Sequence, residues 1–171
     1  MKKILSITLR LFYKILTIIF TFLVKIKAKE KKGFIKANGF TRLNNNTFLG
    51  NNVHFNGLEI LGDGKVVIGD NFHSGKGTMF LTDIHDYNGL KLPYDDNIIK
   101  KEIIIGNNVW IGARVTIIGN CRIGDGAIIQ AGSVVVSNVD NLAIVGGSPA
   151  KQFSKRNEKH YNSLLKNVED K

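Results

Sequence analysis

Large aliphatic residues return at a fixed step of six in the second half of the chain. Ile105, Ile111, Ile117, Ile123, Ile129 and Val135 mark the step. The positions two before them, Ile103, Val109, Val115, Cys121, Ala127 and Ser133, are apolar or small, and Gly follows the step at Gly106, Gly112 and Gly124. A helix repeats every ~3.6 residues and a strand every ~2, and neither produces this run. Upstream, Leu43, Leu49, Phe55 and Leu61 fit one phase. After a one-residue slip near Gly62–Gly64, Ile68, Ser74 and Phe80 fit a second. The pattern predicts an all-β triangular solenoid over residues 37–150, in which each hexapeptide forms one flat face and a turn. One side chain per hexapeptide points inward, and burying each such Ile contributes roughly 1.5–3 kcal/mol.

The amino-terminal residues follow a different period. Lys3, Arg10, Lys14, Thr17, Thr21 and Lys25 are spaced to line one helical face, with Leu, Ile and Phe around most of the rest. Residues 1–36 therefore read as a basic amphipathic helix with a lysine-rich exit. Such a segment suits the surface of an anionic membrane through residues 1–32. Packing on the protein's own body or between subunits is the alternative, and a true span is the third, interrupted by Arg10 and Lys14. The apolar run ends in lysines without a cleavage site, which argues against a signal peptide.

Composition supports the solenoid. Gly and Asn each occur 18 times in 171 residues, and both tolerate the left-handed conformations of tight corners. A helix bundle would not need them. The net charge of +10 resides in the two ends. Residues 1–36 hold ten bases and one acid, +9; residues 37–150 hold eight bases and ten acids, −2; the tail 151–171 holds six bases and three acids, +3. A nucleic-acid binder carries its positive field on the folded domain, so no nucleic-acid partner is expected. One Cys excludes an intrachain disulfide and favours a reducing compartment. The expected location is the cytoplasm, peripheral on the inner face of the plasma membrane.

The six-residue pattern lapses within residues 81–104, in a segment reading LTDIHDYNGLKLPYDDNIIKKE. A long interruption in a solenoid is commonly a functional excursion, and this one holds His85 between Asp83 and Asp86. His54 and His73 fall at outward corner positions, and His160 lies in the polar tail; these three read as surface histidines.

The ordered segments IGNNVWIGARVTI, IGDGAIIQAGSVV and AIVGGSPAKQF resemble the hexapeptide-repeat acyltransferases, over about residues 40–155. Within that family the chain is similar to the maltose, galactoside and xenobiotic O-acetyltransferases, and most similar to the polysaccharide-biosynthesis branch. The resemblance implies a left-handed parallel β-helix, a homotrimer, acetyl-CoA as co-substrate and no required metal. The flanking regions are expected as an amino-terminal amphipathic helix and a short carboxy-terminal helical tail. The implied acceptor is a sugar hydroxyl of a surface glycan or its precursor, with an amino sugar nucleotide as the alternative.

The family's catalytic histidine matches His85. A sugar hydroxyl is almost wholly protonated at neutral pH, and an imidazole titrating near that pH suits the work of a general base. Asp83, Asp86 or a backbone carbonyl would orient it. The resemblance places coenzyme A in a groove between two β-helices. Trp110 sits at its active-site end, Gly112 and Ala113 lie near the thioester, and Ala131 and Gly132 face the pantetheine arm. Pro149, Ala150 and Lys151 lie toward the nucleotide, with Lys155 or Arg156 as further phosphate contacts. Val136 and Ser137 replace the family's usual Thr-Lys pair. Backbone N–H groups near Gly112 and Ala113 are candidates for the oxyanion. Asn56 and Asp83 are candidate acceptor contacts.

Three competing readings fare worse. Cys121 invites an acyl-enzyme, but its register makes it a wall residue. A zinc hydro-lyase on this solenoid lacks the downstream histidine pair, since His160 is the next after His85. A non-catalytic scaffold would not need the histidine excursion or the S-P-A-K exit. No phosphate-binding glycine motif supports nucleotide hydrolysis or hydride transfer.

Overall fold

The computed structural model describes residues 2–169, with side chains placed from Ile7 to Lys166. Lys3 of the polar stripe and the terminal Asp170 and Lys171 lie outside that set. Three parallel sheets surround one core. The first face carries Glu30–Lys31, Thr47–Leu49, Val66–Ile68, Ile103–Ile105 and Cys121–Ile123. The second carries Ile35–Gly39, Val53–Asn56, His73–Ser74, Trp110–Ile111, Ile128–Ile129 and Ala143–Gly147. The third carries Leu58–Leu61, Thr78–Leu81, Thr116–Ile118 and Val134–Val135.

Successive strands in sequence belong to successive faces, so three hexapeptides complete a coil. Ile105 accordingly stacks on Ile123, Ile111 on Ile129 and Ile117 on Val135. All six are buried, as are the small or apolar residues two positions before them. Corners on one edge stack too: Asn52, Asn71 and Asn108 all hold left-handed backbone. Their amides form a ladder at 2.8 Å per step, which ends on the Tyr161 hydroxyl.

The upstream coils are less regular than the two-phase reading expected. Leu61 does not point inward; Ile60 does, stacked on Phe80. Gly57, at φ 106°, makes a short corner after Phe55, and the wide corner Leu61–Lys65 more than makes up the length, so Leu49 stacks on Ile68 with a net slip of one residue. Buried Asn44 holds that wide corner by donating to the carbonyls of Gly62 and Gly64, both at 2.8 Å.

The ends of the solenoid are covered. Helix α1 (Lys2–Lys27) lays its carboxy-terminal half on the first coil, burying Val24 and Ala28 and packing Phe20 on the core. Thr21 Oγ1 accepts from the Ala37 N–H of the edge strand at 2.9 Å. Strand structure therefore begins at Glu30, earlier than the boundary at residue 37, and runs beyond residue 150. At the far end Ala150–Lys155 turns back antiparallel on Ala143–Gly147, and helix α2 (Glu158–Glu169) follows.

Candidate functional site

The excursion is an antiparallel hairpin, Asp83–His85 against Ile98–Lys100, that leaves the corner between the third and first faces. His85 is exposed at its end, paired with Ile98, and its ring stacks on Tyr94 with centroids 4.0 Å apart. Among the described residues neither neighbouring acid is hydrogen-bonded to its ring. Asp83 accepts from the N–H groups of Asp63 and Gly64, and Asp86 accepts from Asn88 N–H. Asp83 is thus a corner cap, and the contact that positions the imidazole within this chain is Tyr94. The loop beyond is organised by buried Asp95, which accepts from the N–H groups of Asn97 and Leu90.

The other predicted residues lie elsewhere. Trp110 stands outward on the second face, 52% exposed, between His73 and Ile128 of the adjacent coils. Gly112, Ala113 and Ala131 form the corner between the second and third faces beside it. There the coils approach so closely that a Cβ on Gly112 would lie 2.5 Å from the Ala131 nitrogen. Together with Ile128, Ile144 and Phe153, Trp110, Ala113 and Ala131 line an apolar groove. Gly112 N–H donates to the Ile129 carbonyl at 2.8 Å and is unavailable to an oxyanion. Ala113 N–H takes no hydrogen bond among the described residues, which narrows the oxyanion candidates to Ala113. Gly132, at φ 75°, donates its N–H to the Ala113 carbonyl, and the space where its Cβ would stand is open.

Pro149 and Ala150 make the turn into the returning strand, and Lys151 and Lys155 lie exposed along it. Arg156 is half-buried, with Nε donating to the Gly126 carbonyl at 2.6 Å. Val136 is exposed. Phe153, 62% exposed over the groove, escaped the sequence reading because the expected tail is here a strand.

His54 and His73 occupy the flat second face, not corners. Phe34, His54 and His73 continue the Trp110 column toward the amino terminus, with centroids 5.5 Å and 6.2 Å apart. Asn56 joins them, donating to the Ser74 carbonyl at 2.9 Å and facing His73 Nε2 at 3.0 Å. Burial, then the neighbouring His73 and Lys36, push the His54 imidazole below its usual range. The two acceptor candidates, Asn56 and Asp83, therefore stand apart. The aromatic column was legible only once the coil register was known, because its successive members are 19 to 37 residues apart in sequence.

Cys121 is buried, its Sγ donates to the Ile118 carbonyl at 2.9 Å, and burial raises the thiol pKa. That is a wall residue. No cluster of three metal-ligating side chains occurs among the described residues.

Comparison with known proteins points one way. The bacterial transferase hexapeptide (six repeats) family profile matches residues 102–137. Galactoside O-acetyltransferase of Escherichia coli K12 is 33% identical over 119 residues, 68% of this chain and 58% of the relative. A chloramphenicol acetyltransferase of Morganella morganii is 49% identical over 65 residues, 38% of this chain and 31% of the relative. The matches to the first relatives span only 26–58% of those proteins' own lengths. Among solved structures, a galactoside acetyltransferase in complex with coenzyme A superposes with TM-score 0.62 at 28% identity. That match covers 77% of this chain and 67% of the other. The Bacillus cereus N-acyltransferase AntD, with dTDP and coenzyme A, shares the fold at TM-score 0.64 and 22% identity, covering 87% and 96%.

Proposed function

The chain belongs to the hexapeptide-repeat acetyltransferase family, and from that premise we propose that it moves an acetyl group from acetyl-CoA to a sugar hydroxyl of a bacterial surface glycan or its precursor. The observation that carries this reading is the groove at Trp110, Ala113 and Ala131. It lies in the coils that match the family profile, its wall is apolar beside the backbone groups of Ala113 and Ala131, and it runs toward the basic strand of Lys151 and Lys155. An apolar wall with a few placed polar groups is the general form of a cofactor site.

In the reaction, His85 takes the proton of the acceptor hydroxyl as its oxygen attacks the thioester carbonyl. The Ala113 N–H stabilises the resulting oxyanion; one such donor is worth roughly 2.7–4 kcal/mol in other enzymes. Collapse breaks the C–S bond, and His85 returns the proton to the thiolate. The acetyl group passes directly, without a Cys121 intermediate. Asn56 and the ring column of Phe34, His54 and His73 form the acceptor end.

His85 and the groove lie at different corners of one chain. Copies packed side by side would bring the hairpin of one against the groove of the next, which is the reason to read the active form as a trimer.

Acetyl-CoA binding by calorimetry tests this reading without knowledge of the acceptor. Wild type should bind at micromolar Kd, and Lys151→Glu should weaken binding by about tenfold, or roughly 1.4 kcal/mol. His85→Ala should bind acetyl-CoA as wild type does and lose about 10²–10⁴-fold in turnover. Folded, oligomeric wild type that fails to bind would leave a non-catalytic scaffold as the better description. Acetylation of an amine in place of a hydroxyl in an acceptor screen would select the amino sugar nucleotide.

A further inference from the structure

Helix α1 is packed in a way its amphipathic pattern does not anticipate. The face turned to the first coil is the one bearing Thr17, Thr21, Val24 and Ala28, with Thr21 bonded to Ala37. Two residues of the polar stripe, Thr17 and Thr21, are therefore used against the protein. The arc left outward is apolar: Leu11, Ile15, Ile18, Phe22 and Ile26, spaced by four, three, four and four residues, are 48–69% exposed. A solvent-facing arc of this length on a folded body needs a cover.

Charge identifies the cover. Arg10 and Lys14 border the arc and line a groove with Lys36 of the first coil. Lys25, Lys27, Lys29, Lys31 and Lys32 continue the positive field along the helix exit, with Glu30 the one acid in residues 1–36. An apolar arc bordered by basic side chains fits lipid acyl chains beneath anionic headgroups. Arg10 and Lys14 can bury their stems in the apolar zone and keep their charges at the phosphates.

We infer that α1 lies in the interfacial plane of an anionic lipid bilayer, with the Leu11–Ile26 arc in the acyl boundary and Arg10, Lys14 and Lys36 at the headgroups. A crossing helix of the same length is disfavoured. It would place Arg10 and Lys14 in the hydrocarbon and pull Val24 and Ala28 from the first coil. The inference is independent of the acyl-transfer reading.

Co-sedimentation of the full chain with phosphatidylethanolamine vesicles containing phosphatidylglycerol, compared with phosphatidylcholine vesicles, tests it. Wild type should prefer the anionic vesicles by about tenfold or more, and salt should reduce the preference. Leu11→Gln/Ile18→Gln/Phe22→Gln should lose the binding with unchanged mass by light scattering, because these side chains are outward in the fold. Arg10→Gln/Lys14→Gln/Lys36→Gln should lose the anionic preference. Wild type remaining in the supernatant with both vesicles would overturn the inference, as would triple-Gln protein that sediments like wild type. If the triple-Gln protein fell apart into smaller species, the arc would belong to a second copy. Bound protein that resists an alkaline carbonate wash would make α1 a span.

Discussion

Among the described residues, Ser74 carries a buried hydroxyl with no hydrogen-bond partner. It sits between Phe55 and Ile111 in the inward column of the second face, where Phe72 and Phe80 are also fully buried nearby in sequence. Replacing it with Ala removes an unsatisfied group and leaves the aromatic packing in place. Ser74→Ala should stabilise the protein by about 1 kcal/mol, read from a denaturant midpoint. His54 sets a pH limit of the opposite kind. Its depressed pKa means the folded state favours neutral imidazole. Its contribution is complete above the unfolded value of about 6.5 and is lost as pH falls through the folded value. His54→Gln should therefore flatten the acid limb of the stability–pH curve. Cys121, held as a neutral buried thiol, should resist iodoacetamide in the folded state and label only after denaturation.

At the scale of the element, the hexapeptide strand and its corner have separate requirements. The strand needs one large inward side chain. Ile117, fully buried between Phe80 and Val135, should cost about 2–5 kcal/mol as Ile117→Ala. The corner needs close approach. A Cβ at Gly112 would meet Ala131 backbone, which cannot swing aside as a side chain can, so Gly112→Ala should force the coils apart. A loss of about 1–3 kcal/mol in a melt, together with weaker acetyl-CoA binding, is expected. The helical pattern of α1 was plain from its polar spacing, but its orientation was not. The edge strand at Ala37 lacks a coil beneath it, and the Thr21 hydroxyl satisfies its N–H in that place. A short hydroxyl in the stripe serves this purpose where a lysine would not.

For the whole molecule, the His85 hairpin and the Trp110–Ala131 groove stand apart in one chain, so the proposed reaction would draw its site from two copies. Sites assembled from two copies can be rebuilt from two defective chains. Co-expressed His85→Ala and Lys151→Glu should regain about a quarter of wild-type activity through mixed oligomers, whereas each alone stays impaired. If the mixture is no more active than its components, each chain supplies its own complete site. The covered ends belong to this scale as well: α1 over the first coil and the returning strand over the last close off edges that would otherwise pair with other chains.

The solenoid itself was determined by the sequence. A step of six is local, and three steps bring each Ile over its equivalent, so Ile105, Ile111 and Ile117 could be placed inside the fold without coordinates. His85 and Trp110 were singled out as candidates from sequence as well, one by the lapse of the repeat and the other by the segment around it. What only tertiary structure decided depends on contacts between residues far apart in the chain. Register across coils set Ile60 rather than Leu61 inside and joined Phe34, His54 and His73 to Trp110, while the fold of the hairpin loop set Tyr94 on His85. The Asp83 carboxylate was drawn to the backbone N–H groups of Asp63 and Gly64, 20 and 19 residues away, rather than to its neighbour His85. Sequence spacing fixes which way a side chain points from its own strand. It does not fix which donor in the next coil that side chain meets.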